Sequence, residues 1–172
     1  MSITKTIASV APLDKTAMDA ARLRQAQLAK PPGSLRRLEE LSIQLAGITG
    51  KVRNQIQKKH LLVFAADNGV VSEGVSSAPQ SVTLQQAINL TRAKTGASTL
   101  CKHFGCDITV CDVGVNADIK DTKVLNRKIA YGTQNIIQGP AMTREQAMQA
   151  IAIGIELAME TEADVIGIGE MG

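Results

Sequence analysis

Residues 61–69 read LLVFAADNG, and this stretch decides the fold class of the chain. Six apolar residues are followed at once by Asp67, Asn68 and Gly69, as is typical of a strand buried on both faces of a parallel sheet. Two more stretches repeat the pattern, ITVCDVG at 108–114 and DVIGIG at 164–169, which is followed by Glu170. We therefore predict three parallel strands.

Helical segments separate the predicted strands. Residues 79–92 and 96–104 are predicted to be helical, and residues 115–140 mostly loop. Thr143 and Gln146 form a capping box at the start of a third helix. The apolar residues expected on the buried face of that helix are Met148, Ile151, Ile155 and Ala158. Strands alternating with helices predict an α/β fold with a parallel sheet.

The first 50 residues have a different pattern. Residues 14–29 are predicted to be helical, and the sequence KPPG at 30–33 ends that helix because two prolines cannot continue it. Ser34 is the expected N-cap of a second helix, and Gly47 its expected stop. We therefore expect a helical N-terminal lobe over residues 1–50 and the first part of a parallel α/β domain over residues 51–172.

Composition excludes several classes of protein. With 44% hydrophobic and 20% charged residues, the chain of 172 residues is globular and not disordered. Three aromatic residues are too few for a base-stacking nucleic-acid surface. We see no apolar run long enough to span a membrane and no secretory signal. Residues 1–60 are basic and residues 61–172 acidic; we favour two solvated surfaces over a basic arm that binds phosphate or an acidic partner.

The cysteines and histidines do not form a metal-binding pattern. Cys101, Cys106 and Cys111 follow one another at intervals of five residues. Three cysteines are an odd number, and no C-x-x-C motif occurs, so neither a disulfide framework nor a zinc site is predicted. We expect reduced thiols and a cytoplasmic protein. His60 and His103 have no carboxylate or cysteine at ligand spacing, so no metal site is expected.

Candidate functional residues cluster where the strands end. Asp67, Asp112 and Glu170 each lie within two residues of a glycine, and the carboxyl ends of parallel strands share one edge. For the two aspartates ordinary turn chemistry is slightly favoured; for the segment 167–172 (GIGEMG) we favour close approach to a ligand. The polar loop at 76–86 fits two interpretations equally well: it binds an anion, or it is a solvated loop with an ordinary helix cap.

Six co-linear segments resemble one enzyme family. They are KPPGSLxRLE at 30–39, FAADxGV at 64–70 with EGV at 73–75, PxxVTxxQ at 79–86, DVG at 112–114, GPAMTRxQA at 139–147 and GxGEMG at 167–172. Together they resemble the nicotinate-nucleotide–dimethylbenzimidazole phosphoribosyltransferases. The resemblance implies a Rossmann-like parallel sheet with a small helical lobe, a homodimer, and no metal or organic cofactor.

The implied reaction transfers phosphoribose from nicotinate mononucleotide to 5,6-dimethylbenzimidazole, giving α-ribazole 5′-phosphate and nicotinate. By resemblance Glu170 is a supporting carboxylate near the ribose, and Gly167 belongs to the same segment. Gly169, Met171 and Gly172 begin the phosphate loop. Gln86, with Pro79 on the same segment, contributes to the base pocket. The general base is a glutamate of a later segment, which residues 1–172 do not include.

Three positions depart from the family pattern. Asn68 replaces a frequent histidine, Ala78 replaces a small polar residue, and Arg36 replaces a glycine in what we expect to be harmless surface variation. The chain also stops directly after a strand, so we expect it to be a truncated N-terminal half. The alternatives are a non-catalytic homologue that binds a benzimidazole or nucleotide, and a structural fragment without a site.

Overall fold

A computed structural model describes residues 3–172. The elements in chain order are α1 (Ile3–Ala8), α2 (Lys15–Gln27), α3 (Arg37–Thr49), β1 (Lys59–Ala66), a 3-10 helix (Gly69–Glu73), α4 (Ser81–Leu90), α5 (Gly96–His103), β2 (Asp107–Gly114), β3 (Val124–Asn126), α6 (Arg144–Glu160) and β4 (Val165–Met171). Contacts divide the chain into two compact units, residues 7–56 and the remaining described residues. Residues 51–56, assigned above to the sheet domain, lie in the helical unit.

Small residues bring α2 and α3 together in the helical unit. Ala17, Ala21 and Ala46 form its buried core. Gly47 lies inside α3, so the prediction that it ends this helix is wrong. A Cβ at position 47 would lie 2.7 Å from Cγ and Sδ of Met18, so the glycine permits close packing between the helices. Gly50, with φ 68°, ends α3 instead.

The start of α3 also differs from the prediction. Ser34 lies in a turn and is not the N-cap; Arg36 holds that position, with φ 47° and ψ −121° and without a capping side chain. Glu39 accepts a hydrogen bond from the backbone N–H of Leu35. Its Oε1 also forms an ion pair with Nζ of Lys30 at 2.6 Å. Arg36 therefore occupies a left-handed conformation that favours glycine, which makes its replacement of the family's glycine more than surface variation.

The four strands form one parallel sheet in the order β3-β2-β1-β4. The central strand β1 pairs with β2 on one side, where Val63 faces Val110, and with β4 on the other, where Val63 faces Gly169. This confirms the α/β class and all three predicted strands. The short strand β3 lies within residues 115–140, which were predicted to be mostly loop, because three residues carry no periodic signal.

Each face of the sheet packs against helices. On one face Val63, Ala65 and Val110 form a core with Ala87 and Leu90 of α4. On the other face the buried residues are Leu62, Cys111 and Leu157 of α6. Among described residues, no helix has both the length and the apolar character needed to cross a membrane.

The buried face of α6 was predicted incorrectly. Met148 and Ile151 are 41% and 48% exposed, and Ala158 is also exposed, whereas Leu157 is 5% exposed. Apolar residues lie on nearly every side of this helix, so helical periodicity alone does not select the face that meets the sheet. The predicted capping box of Thr143 and Gln146 is confirmed.

Candidate functional site

The carboxyl ends of β1 and β4 open into a pocket of about 210 Å³, here called the strand-end pocket. Asp67 and Asn68 follow β1 at one wall, and Met171 and Gly172 form another wall at the end of β4. Pro79 and the first turn of α4 complete the lining. Three of the substrate-binding candidates, Pro79, Met171 and Gly172, therefore share one pocket.

A larger cleft of about 620 Å³ adjoins this pocket along α4, here called the α4 cleft. Gln86 of α4 lines it together with Gly169, Glu170 and Met171 of β4. Because Met171 belongs to both linings, the cleft and the strand-end pocket are neighbours. Apolar side chains supply most of the remaining wall: Leu61, Val63, Val82 and Leu90.

The side-chain oxygen of Gln86 is the unsatisfied group of the α4 cleft. Its Oε1 is buried and has no hydrogen-bond partner. A buried acceptor without a donor costs about 1–3 kcal/mol, so a ligand N–H at this position would recover free energy. Lys94, Thr95 and Glu170 also line the cleft, and beside its apolar wall such an acceptor orients a ligand that carries an apolar body and one donor.

Glu170 lies close to the end of β1. A Cβ built on Gly172 would lie 3.5 Å from Oε2 of Glu170, 3.0 Å from Nδ2 of Asn68 and 2.5 Å from the carbonyl oxygen of Ala66. The Glu170 carboxylate and the Asn68 amide therefore flank Gly172. The backbone at position 172 lies so close to β1 that any side chain would collide with it, which explains a glycine there.

Gly167 has a different environment from the other site candidates. It lines neither the strand-end pocket nor the α4 cleft. A Cβ at this position would lie 3.2 Å from Cδ1 of Leu61, so the leucine methyl would have to shift by a few tenths of an ångström. The close approach of β1 therefore favours a small residue at position 167.

The strand-end aspartates are held by internal partners. Oδ1 of Asp112 accepts hydrogen bonds from the N–H groups of Gly114 and Val115, and its Oδ2 lies 2.8 Å from Nζ of Lys128. Oδ2 of Asp67 accepts a hydrogen bond of 2.7 Å from the N–H of Asn116. Of these two carboxylates only Asp67 lines the strand-end pocket, so turn chemistry accounts for Asp112.

Lys128 was not identified from the sequence. Its ammonium group also donates to the carbonyl oxygens of Val115 and Ala117, and lies 4.7 Å from the ring centroid of Tyr131. The hydroxyl of Tyr131 donates to Asp118, and this hydrogen bond raises the pKa of the tyrosine. The sequence carries no signal for this network, because a lysine and a tyrosine in a loop after a strand are a common pattern.

Two backbone N–H groups at the start of α4 are already bonded within the loop. The N–H groups of Val82 and Thr83 are bonded to the carbonyl oxygens of Pro79 and Gln80. The side-chain oxygen of Gln80 accepts a hydrogen bond from Asn116. These contacts favour the interpretation of the loop as a cap that shapes the strand-end pocket.

The histidines are engaged elsewhere. Nε2 of His60 lies 2.9 Å from Oγ1 of Thr109, and the ring of His103 packs edge-on against Phe104 with centroids 4.7 Å apart. Within residues 3–172, no group of three or more His, Cys, Asp or Glu side chains is arranged to hold a metal ion.

Comparison with known proteins identifies the family. A family described as phosphoribosyltransferase matches residues 10–172. The nicotinate-nucleotide–dimethylbenzimidazole phosphoribosyltransferase of Clostridium tetani is 44% identical over 171 residues, which are 98% of this chain and 47% of the relative. The protein of the same name from Clostridium perfringens is 48% identical over 163 residues, 93% of this chain and 45% of the relative.

A solved structure shares the fold as well. The crystal structure of the enzyme of that name from Thermus thermophilus superposes with a TM-score of 0.87 at 40% identity, covering 93% of this chain and 50% of that one. The chain thus spans about half the length of the relatives it matches. From the match over nearly its whole length, the chain belongs to the nicotinate-nucleotide–dimethylbenzimidazole phosphoribosyltransferase family.

Proposed function

We propose that this chain takes part in the transfer of phosphoribose from nicotinate mononucleotide to 5,6-dimethylbenzimidazole, with α-ribazole 5′-phosphate and nicotinate as products. The family membership supports the reaction class. The chain covers about half of its relatives, so its role is to form one side of the substrate site. The base that removes the benzimidazole proton comes from the other half of the full-length protein.

The observation that carries this proposal is the unpartnered Oε1 of Gln86 in the α4 cleft. A benzimidazole has an apolar fused ring and one N–H donor, and the cleft offers an apolar wall and the buried Gln86 acceptor, with Glu170 and Lys94 also in its lining. Binding the base there would satisfy the amide oxygen and cover apolar surface. Pro79 would border the site from the neighbouring strand-end pocket, which shares Met171 with the cleft.

The chemistry requires few protein groups. The bond between C1′ of the ribose and the nicotinate nitrogen breaks, and a new bond forms between C1′ and a benzimidazole nitrogen with inversion. Nicotinate leaves readily because its ring nitrogen is cationic in the nucleotide and neutral in the product. The benzimidazole N–H proton passes to the base on the other half of the protein. Positive charge develops at C1′, and a nearby carboxylate stabilises it.

Glu170 is the carboxylate that we assign to this supporting role. Its Oε2 lies near Gly172 and the Asn68 amide, at the border of the strand-end pocket. The nucleotide phosphate would then approach the backbone of Gly169, Met171 and Gly172, where two glycines permit close contact. We also assign Gly167 to this segment, where it lies close to Leu61.

The remaining assignments follow from the same proposal. We infer small-molecule substrates, a homodimer, a cytoplasmic location, and no role for nucleic acid or a membrane. The free thiols of Cys101 and Cys111, both buried, agree with a reducing compartment. Ala78 lines the strand-end pocket, so its replacement of a polar residue would make that pocket less polar.

The role of Gln86 is tested by calorimetric titration of dimethylbenzimidazole into the wild-type chain and the variant Gln86→Leu. The neighbouring Gln85 is exposed and does not line the cleft, so Gln85→Leu is the matched control. Loss of one hydrogen bond to the ligand corresponds to about 0.5–1.5 kcal/mol, or roughly 3–10-fold weaker binding. Equal affinity of both variants would contradict the assignment of Gln86.

The division of labour is tested separately by incubating the 172-residue chain with both substrates and measuring nicotinate release. We expect binding without turnover, because the proton acceptor belongs to the other half of the protein. Turnover by this chain alone, at the rate of a full-length relative, would contradict that division. Absence of any binding by a folded chain would contradict the base-site proposal itself.

A further inference from the structure

The end of α5 brings two cysteines together. The helix ends at His103, Gly105 takes the left-handed conformation with φ 60°, and the N–H of Cys106 donates to the carbonyl oxygen of Cys101 at 2.8 Å. This is the six-to-one hydrogen bond of a Schellman motif, in which the side chains of the two bonded residues approach each other. In most proteins that contact is hydrophobic; here both partners are thiols.

The backbone geometry limits how far apart the two cysteines lie. The path from Cα of Cys101 through its carbonyl oxygen and the hydrogen bond to Cα of Cys106 is at most about 6.7 Å. Disulfides span Cα–Cα distances of about 4.4–6.8 Å. Burial, followed by the neighbouring Cys106 thiol, raises the pKa of the Cys101 thiol.

Small oxidants have access to the pair. Cys101 and Cys106 line a common surface pocket of about 460 Å³, with Lys102 and Asp107 among its other residues. Cys101 is buried, and Cys106 is only half-buried, so an oxidant meets Cys106 first. Its Sγ lies 3.4 Å from the carbonyl oxygen of Asp107.

The third cysteine provides an internal control. Cys111 lies in the core between the sheet and α6, together with Leu62 and Leu157. Burial raises its pKa to about 11, so the reactive thiolate is scarce at neutral pH. It does not line the pocket of Cys101 and Cys106.

We propose that Cys101 and Cys106 are an oxidation-sensitive dithiol that peroxides convert into an intrachain disulfide. The Cys106 thiolate attacks one oxygen of hydrogen peroxide, the O–O bond breaks, and water leaves with the thiol proton. The sulfur of Cys101 then attacks the resulting sulfenic acid, forms the S–S bond and releases a second water. In total two thiols lose two electrons and two protons, and one peroxide becomes two waters.

The test uses the wild-type chain treated with hydrogen peroxide, then unfolded and alkylated with iodoacetamide. Of three cysteines, we expect only Cys111 to be alkylated after peroxide, and all three after subsequent reduction with dithiothreitol. Peptide mass mapping should find Cys101 linked to Cys106. Cys111→Ser should leave no alkylated cysteine after peroxide, whereas Cys106→Ser should leave Cys101 and Cys111 both alkylated.

Three results would overturn the proposal. One is alkylation of all three cysteines after peroxide. Another is sulfinic acid at Cys106 with Cys101 still free, because a nearby resolving thiol should prevent overoxidation. The third is a disulfide-linked dimer on a non-reducing gel, which would mean that Cys106 reacts between chains. None of these results bears on the transferase proposal, because Cys101 and Cys106 line neither the strand-end pocket nor the α4 cleft.

Discussion

Removing the Lys128 ammonium group should destabilise the sheet unit strongly. Lys128 and Asp112 form an ion pair of 2.8 Å, with side chains only 11% and 2% exposed. In the variant Lys128→Met, the Asp112 carboxylate stays buried with two backbone N–H donors but without a cation. Breaking a buried ion pair by removing one partner costs about 3–5 kcal/mol. That is a large part of the 5–15 kcal/mol by which most domains are stable.

The measurement is urea unfolding at pH 7, followed by far-ultraviolet circular dichroism. The matched control is Arg127→Met, which removes the neighbouring ion pair with Glu156, whose partners are 39% and 48% exposed. Exposed pairs contribute about 0–1 kcal/mol, so the control should lower the unfolding free energy by no more than that. The double variant of Lys128→Met with Asp112→Asn should recover part of the loss, because a neutral amide needs no counter-ion.

The reasoning would be refuted if Lys128→Met and Arg127→Met lowered the free energy of unfolding equally. It would also be refuted if Asp112→Asn added its full cost to that of Lys128→Met, because groups that interact directly are not additive. Either result would mean that the loop carrying Lys128 is held by other contacts, such as the hydrogen bond from the N–H of Gly132 to the carbonyl oxygen of Gly114.

Two further substitutions test backbone fit by the same urea measurement. Gly69→Ala should lower the free energy of unfolding by about 1–3 kcal/mol, because its Cβ would lie 2.5 Å from the carbonyl oxygen of Thr133. Gly154→Ala in α6 is the control, because a Cβ there meets nothing within 4 Å. An equally large loss of stability at Gly154 would contradict the proposed clash at Gly69. Arg36→Gly should stabilise the helical unit by about 1 kcal/mol, because only glycine adopts φ 47° and ψ −121° without strain; no gain would contradict that strain.

Local patterns predicted the parts of the fold that depend on a few adjacent residues. The apolar run at 61–66 makes a buried strand in any parallel sheet, and the Thr143 and Gln146 pair caps its own helix. Gly47 and Ser34 were misread because each suits a helix end, while the packing against Met18 and the turn before Arg37 decided their positions. Such decisions depend on residues far along the chain.

The candidate site shows the same division. Sequence patterns led to Gln86 and to the segment ending in Gly172, yet gave no sign that Oε1 of Gln86 is buried without a partner. Nor did they show that Asp112 is neutralised by Lys128. The fate of a buried polar group depends on which donors the fold brings to it, and those donors come from other loops.

By itself, therefore, the sequence determined the α/β class, the three main strands and the family, because periodicity, turn chemistry and co-linear motifs are local or ordered along the chain. Only the tertiary structure decided which strand-end carboxylate pairs with a lysine, which face of α6 is buried, and that Cys101 and Cys106 meet at the end of α5. These outcomes depend on pairing and packing between distant segments, and alternation of residue types does not encode the partners.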